Sequence, residues 1–368
     1  MREAFDGFYR GRRVLVTGHT GFKGSWLSLW LESLGARVSG FALAPPTNPS
    51  HFDALGLAGR MDDRRGDVRD AALLAKIVAE VKPEVVFHLA AQPLVRLSYE
   101  QPVETMASNV MGTAHLLEAV RGLRSPCVCQ IITTDKCYEN REWIYAYREN
   151  DALGGYDPYS ASKAGAELMT ASWRQSFFHP DRLAEHGVSV ASVRAGNVIG
   201  GGDWALDRIV PDCVRALMAG KTIPVRNPEA IRPWQHVLEP LSGYLWLAAR
   251  QATRAPEFAD SFNFGPQAGD ALPVREVARL VVESWGEGRW EATGVGGPHE
   301  ARFLKLDTAK AQALLGWRPV YGAAQAIAHT VAWYRASAAG KMDASPFGLR
   351  QIHDFVEQAR AMKLAWAG

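Results

Sequence analysis

Val14-Leu15-Val16-Thr17-Gly18-His19-Thr20-Gly21-Phe22-Lys23-Gly24-Ser25-Trp26 is the stretch on which the fold turns. It begins with a short apolar run between Arg12-Arg13 and Gly18, as expected of a strand buried on both faces of a parallel sheet. From Ser25 onward Trp26, Leu27, Leu29, Trp30 and Leu34 recur at helical spacing until Gly35 stops them. Between strand and helix stands Gly-x-x-Gly-x-x-Gly, close to the Gly-x-Gly-x-x-Gly turn that receives a dinucleotide pyrophosphate. Glycines there remove the Cβ atoms that would keep backbone from a phosphate. The helix N-terminus beyond them offers unpaired N–H groups and a partial positive charge. A glycine-rich turn alone can be a tight turn and nothing more. The strand before it and the helix after it favour a cofactor turn, with contacts expected from Gly18, Thr20, Gly21, Phe22, Lys23 and Gly24.

Outward from this unit the pattern repeats. A strand is predicted over Val38 to Leu43, a short third strand before Asp67, a helix over Ala71 to Val81 and a strand over Val85 to Leu89. A helix over Val103 to Val120, a strand over Cys127 to Thr134, a helix over Pro158 to Phe177 and a strand over Val188 to Arg194 follow. Strands alternating with helices predict an α/β fold, a Rossmann-type doubly wound parallel sheet. After Arg194 the pattern loosens, with Gly200-Gly201-Gly202 and Pro211, Pro224, Pro228, Pro233 and Pro240 interrupting it. That shift predicts a smaller mixed α/β substrate-binding domain over the carboxyl edge of the sheet, where such folds bind ligands. The expected boundaries are 9–195 for the cofactor domain, with segments around 235–265 returning to it, and 196–350 for the smaller domain.

Composition narrows the class. Hydrophobic residues make up 47% and charged residues 22%, which excludes extensive disorder. Lys and Arg total 41 against 39 for Asp and Glu, so net charge supplies no reason to expect nucleic acid or an anionic membrane as partner. Cys127, Cys129, Cys137 and Cys213 lack paired-ligand spacing and the histidines are scattered, so neither a disulfide framework nor a metal site is expected. Met1 to Arg13 has no apolar signal region, and no stretch approaches the roughly eighteen apolar residues of a membrane span. A cytoplasmic protein is the expectation.

Two further motifs carry chemistry. Tyr159-Ser160-Ala161-Ser162-Lys163 places Tyr and Lys four apart, on one face of a helix. An ammonium near a phenol stabilises phenolate and makes tyrosine usable as a general base. A lone Tyr-x-x-x-Lys is usually an exposed helix face; downstream of a cofactor turn and of a strand ending Thr133-Thr134 it means more. Together these residues resemble the extended short-chain dehydrogenase/reductases that act on nucleotide sugars. In that family the strand-end hydroxyl, here Thr134, completes the catalytic group with Tyr159 and Lys163.

Thr134 is followed by Asp135-Lys136, where related dTDP-glucose dehydratases carry Asp-Glu. This departure resembles the CDP-glucose 4,6-dehydratases. So do His88-Leu89-Ala90-Ala91-Gln92-Pro93-Leu94-Val95-Arg96, Arg194-Ala195-Gly196-Asn197 and Arg232-Pro233-Trp234-Gln235-His236-Val237. The resemblance implies NAD as cofactor and CDP-glucose as substrate. It implies oxidation at C4, loss of water across C5 and C6 with Asp135 as acid, and hydride return to C6, a step of deoxysugar (lipopolysaccharide O-antigen) biosynthesis. Lys136 would act at C5 either as a neutral base or as a cation stabilising the enolate; both readings stay open. Leu89, Ala90, Ala91 and Gln92, with Asn109 and Thr133, would line the nicotinamide side. Arg194 and Asn197 would stand at the entrance of the sugar-nucleotide site, with Arg208, Arg232 and Arg302 as cations for the diphosphate and Arg96 as a further candidate. The family also implies a homodimer through a bundle of the helices near 103–120 and 158–177.

The second strand ends Phe41-Ala42-Leu43-Ala44-Pro45 without the acid that grips an NAD ribose or the arginine that receives NADP. Asp67-Val68 is the alternative place for an adenine contact, unless Asp67 is a solvated loop acid. The rival readings are a dehydratase or epimerase of another nucleotide sugar, and a catalytically silent NAD-binding protein, whose signature would be loss of the Tyr-Lys pair.

Overall fold

A computed structural model describes residues 3–294, 303–340 and 342–368. In chain order the strands are β1 (Arg13–Thr17), β2 (Arg37–Ala42), β3 (Asp62–Arg65), β4 (Val85–His88), β5 (Cys127–Ile132) and β6 (Val188–Ala195). Then come β7 (Asn197–Ile199), β8 (Ile223–Val225), β9 (Ile231–His236), β10 (Ser261–Phe264), β11 (Ala271–Pro273) and β12 (Trp290–Ala292). Seven of them form one sheet in the order β10-β6-β5-β4-β1-β2-β3, parallel throughout. The predicted doubly wound sheet is present. Its seventh strand, β10, comes from a four-residue segment, Ser-Phe-Asn-Phe, too short to be separated from its loop by pattern alone.

Side chains of β1 alternate between the two faces. Val14 and Val16 join a core with Trp26, Leu27, Leu29 and Trp30 of the helix Phe22–Ser33, whereas Leu15 faces Leu74, Val78, Leu116 and Leu117. With helices on both sides, β4 and β5 are buried at every position, which is why they read as continuous apolar runs. At the sheet's outer edge β3 is Asp-Asp-Arg-Arg, and its charges pair with one another across solvent, protecting the edge against further strand pairing.

Three boundaries differ from expectation, and each bears on the site. The first helix starts at Phe22 rather than Ser25, so Lys23 and Gly24 belong to its opening turn. β5 ends at Ile132: Thr133 still donates its N–H to Val193, but Thr134 caps a short 3-10 turn, Asp135–Cys137, that carries the next three residues away from the sheet. The helical run at 102–121 contains a π-turn at Ala107–Met111 between Pro102–Met106 and Gly112–Arg121. Single π-turns inside helices commonly mark functional sites.

The later chain builds a second layer over the carboxyl edge. β9 pairs with β7 in parallel and with β11 antiparallel, and β8 pairs with β12. The helix Leu238–Thr253 returns to the main sheet: Gln130 of β5 donates to the Tyr244 carbonyl and to Gln251. The four cysteines are free and buried. Among the described residues no helix is long and apolar enough to cross a membrane.

Candidate active site

The three glycines of the cofactor turn do different work. Gly18 adopts φ +75°, and a Cβ there would stand 2.6 Å from the Ala90 nitrogen, so this glycine lets β1 and the end of β4 close together. A Cβ on Gly24 would stand 2.2 Å from the Gly18 carbonyl oxygen. Gly21 is different: its Cβ would meet nothing nearer than 3.4 Å. It caps the helix Phe22–Ser33, whose first N–H groups receive no side-chain acceptor. Space in front of free N–H groups is what a pyrophosphate needs, and the turn fits one. His19 is buried behind it, bonded to Asp63 at 2.8 Å, on ground that only Gly40 leaves open, where a Cβ would fall 2.3 Å from the ring.

The end of β2 carries no acid, as expected, but pairing brings one beside it. The register Ala42↔Arg65 sets Arg65 against the Leu43 carbonyl, with its guanidinium paired to Asp63. Asp67 lies beyond β3 with its carboxylate engaged by the Arg69 backbone and guanidinium, which hold it below the usual carboxylate range. Val68 is buried, its carbonyl bonded to His115, under Gly112.

Tyr159 and Lys163 both lie buried on the helix Pro158–Ser176, one turn apart. Burial raises the Tyr159 phenol to about 12; a hydrogen bond with Thr134 and the Arg208 guanidinium pull the other way. Lys163 donates to the Ile132 carbonyl at 3.2 Å, and the Arg208 guanidinium is a cation that favours the Tyr159 phenolate. Thr134 also donates to Asp135 at 2.9 Å. Asp135 is buried, and desolvation raises its carboxyl above the usual range against the opposing charges of Lys136 and Arg232. Gly196 makes room for it, since a Cβ there would stand 2.9 Å from Asp135 Oδ2. Lys136 is half-buried beside this acid.

Lys23, read from sequence as part of the cofactor turn, is half-buried in the opening turn of the helix Phe22–Ser33. Burial, then Lys163 and Arg208, draw its ammonium down to about 7, with Asp135 opposing, and it lies over the Tyr244 ring at 5.8 Å. A lysine in the first turn of a helix stands against the macrodipole, and that local misfit was the available signal. Arg208 acts toward Tyr159, Lys136 and Arg232 toward Asp135, and Lys163 and Arg208 toward Lys23, an electropositive setting suited to phosphate-bearing ligands.

The remaining predicted residues divide. Gln92 and Asn109 exchange backbone and side-chain bonds at 2.8 and 3.0 Å, and Asn109 from the π-turn also donates to Ser162 at 2.8 Å, fixing the loop after β4 against the Tyr159 helix. Leu89 and Ala90 follow β4 against Gly18. Asn197 is half-buried, and its amide nitrogen has no partner among the described residues. Arg208 pairs with Asp203 at 2.7 Å; Arg96 reaches Asp207 at 3.4 Å, across the rim. Arg302 lies outside the described residues. Arg194 departs from expectation. It is buried behind the site, paired with Glu167 at 2.8 Å and bonded to the Tyr138 hydroxyl and the Glu149 carbonyl, so its guanidinium is not free for a substrate at the entrance. Glu167 itself was not foreseen, although an acid four residues beyond Lys163 marks the same helix face.

Residues 15–330 match the family described as GDP-mannose 4,6 dehydratase. The chain is 52% identical over 350 residues, 95% of its length and 97% of the relative's, to the CDP-glucose 4,6-dehydratase of Salmonella typhimurium. It is 31% identical over 334 residues, 88% of its length and 92% of the relative's, to the dTDP-glucose 4,6-dehydratase of Streptomyces antibioticus. Among solved structures, the dTDP-glucose 4,6-dehydratase of Streptomyces venezuelae with NAD and TYD bound superposes with a TM-score of 0.74 at 26% identity, covering 90% of this chain and 99% of that one.

Proposed function

As the chain belongs to the GDP-mannose 4,6-dehydratase family, we infer that it is an NAD-dependent nucleotide-sugar 4,6-dehydratase acting on CDP-glucose. It converts CDP-D-glucose to CDP-4-keto-6-deoxy-D-glucose and water. The observation that carries this reading is the 52% identity to the Salmonella CDP-glucose 4,6-dehydratase along 95% of the chain. NAD, when bound at the glycine turn, accepts the C4 hydride and returns it to C6. Tyr159, bonded to Thr134, takes the C4 hydroxyl proton. The C4 ketone acidifies C5–H. Asp135, whose carboxyl burial raises above the usual range, is the acid for the departing C6 hydroxyl. Lys136 stands beside it as the group for the C5 side, and Arg208 and Arg232 serve the diphosphate. We assign the dinucleotide to 9–195 with the 235–265 return, and the nucleotide sugar to 196–350. Both ligands are phosphate-bearing metabolites of the cytoplasm, which supports a cytoplasmic enzyme.

A second copy of the chain supplies its partner. The helices 102–121 and Pro158–Ser176 pack together and leave Val103, Met111 and Leu168 exposed on their outer side, at 74%, 50% and 57%. Apolar side chains so placed on paired helices support a four-helix seam between two protomers.

The test of the reaction is isotopic. Deuterium at C4 of carbon-13-labelled CDP-glucose, mixed with unlabelled substrate, is expected at C6 only in carbon-13 product. Absence of deuterium at C6 would sink the internal hydride return and with it the dehydratase reading.

A further inference from the structure

We propose that the cavity at the amino-terminal edge of the main sheet is an anion site, separate from the catalytic cleft, for a small ligand carrying two or more linked phosphates. Its volume is about 660 Å³, within the range of small-molecule sites. Five of the side chains lining it are arginines: Arg10, Arg12, Arg13, Arg37 and Arg250. Among the described residues two lining carboxylates, Asp6 and Glu84, stand against them, so the walls carry three positive charges in excess. Topology gathers these groups. Arg13 and Arg37 open β1 and β2 as register partners, and Glu84 directly precedes β4 on the other side of β1. Arg10 and Arg12 come from the segment leading into β1, and Arg250 from the last turn of the helix Leu238–Thr253. A strand rises roughly 3.3 Å per residue, so Arg13 stands about 16 Å from Gly18, at the far end of β1 from the cofactor turn.

Three of the guanidiniums are held in place through Nε. Arg12 donates from it to the Phe8 carbonyl at 3.0 Å, Arg13 to the Lys82 carbonyl at 2.8 Å and Arg37 to the Gly11 carbonyl at 3.0 Å. Glu84 then serves two arginines at once. Its Oε1 accepts from Arg12 at 2.8 Å; its Oε2 accepts from the Arg13 backbone N–H at 3.1 Å and lies 3.5 Å from the Arg13 guanidinium. Asp6 comes no nearer to Arg250 than 4.0 Å. The terminal nitrogens of Arg37 and the whole guanidinium of Arg10 have no hydrogen bond or ion pair among the described residues. Capping of a helix end accounts for Arg13, whose acceptor Lys82 closes the helix Ala71–Val81. It does not account for Arg10, or for an excess of like charge around one space, which repels itself until an anion neutralises it. A planar guanidinium fork takes phosphate oxygens two at a time. A chain of phosphates reaches several forks where a single phosphate meets fewer. The Phe8 ring, with the Arg12 guanidinium over it at 4.4 Å, adds an aromatic surface to the wall.

Titration calorimetry with inorganic triphosphate on the NAD-loaded enzyme tests the site, comparing wild type, Arg232→Met in the catalytic cleft and Arg10→Gln/Arg37→Gln at the sheet edge. Arg232→Met is expected to keep the triphosphate affinity. Arg10→Gln/Arg37→Gln is expected to weaken it about tenfold or more, with turnover of CDP-glucose and Tm at wild-type values. Should the double variant fail to fold, Arg10→Gln alone carries the test, because its guanidinium is bonded to nothing among the described residues. CTP titrated in parallel separates two sources of the same chemistry: tighter binding than triphosphate assigns a nucleotide lying against Phe8, and equal binding assigns the phosphate chain alone. No binding of either anion to the wild type overturns the inference. So does binding lost in Arg232→Met but kept in Arg10→Gln/Arg37→Gln, which would put the anion in the catalytic cleft, and so does an affinity loss that appears only together with a lowered Tm.

Discussion

In the proposed reaction Tyr159 and Asp135 serve different steps, and their environments differ accordingly. Burial raises the Tyr159 phenol to about 12, while the hydrogen bond with Thr134 and the Arg208 guanidinium favour the phenolate that proton transfer from the C4 hydroxyl requires. Tyr159→Phe removes one oxygen and leaves the ring's packing. It is expected to keep the folded state and cofactor binding while slowing turnover by about 10² to 10⁴; purified enzyme assayed for product checks this. Asp135 differs: desolvation raises its carboxyl above the usual range against Lys136, Thr134 and Arg232, which favours the protonated form needed of an acid. Its proton is needed for loss of the C6 hydroxyl, so that step fades as pH rises through the raised value. Asp135→Asn is expected to oxidise C4 and then stall, with near-ultraviolet absorbance of reduced nicotinamide building up in stopped flow. A variant slow before any absorbance appears would assign Asp135 to the oxidation instead.

At the scale of elements, the joint between β1 and the helix Phe22–Ser33 is built so that packing and ligand contact fall on different glycines. Gly24→Ala drives a Cβ to 2.2 Å from the Gly18 carbonyl, backbone against backbone. Overpacking of this kind costs about 1–3 kcal/mol, and a lower Tm by calorimetry is the expected result. Gly21→Ala meets nothing within 3.4 Å and keeps φ at −77°. Its Tm is expected to change little, while NAD affinity measured by titration calorimetry weakens because the methyl group enters the phosphate's space. Equal Tm losses in the two variants would refute this division. The π-turn at Ala107–Met111 is the second such joint: it delivers Asn109 to both the loop after β4 and Ser162, so one side chain ties two elements that carry cofactor contacts.

For the whole molecule, the reactive groups come from places far apart in the chain: Lys23 from the first helix, Asp135 from the turn after β5, Arg208 from the later layer and Arg232 from β9. The sheet gathers them at its carboxyl edge, and the return of Leu238–Thr253 and β10 binds the later layer to the earlier one. The helices beneath the site present Val103, Met111 and Leu168 outward. Leu168→Asp is expected to convert a dimer to a monomer in light scattering with the helical circular dichroism unchanged; a wild-type monomer at micromolar concentration would remove the seam.

Sequence by itself determined the alternation of strands and helices, the cofactor turn, and Tyr159 with Lys163, Thr134 and Asp135, because each is a local pattern: a period, a glycine spacing, one helical turn, adjacent residues. It also led to the adjacent Asp135-Lys136 pair. Other features were decided only when strands paired and side chains were buried. Arg65 stands at the end of β2 through register with β3, the Arg208 guanidinium favours the Tyr159 phenolate, and Lys163 bonds the Ile132 carbonyl. Arg194 shows why. Its neighbours in sequence suggest a site residue, but β6 is an interior strand between β10 and β5, and a guanidinium buried there must be paired. Its partner, Glu167, comes from a helix twenty-seven residues earlier, fixed by packing alone.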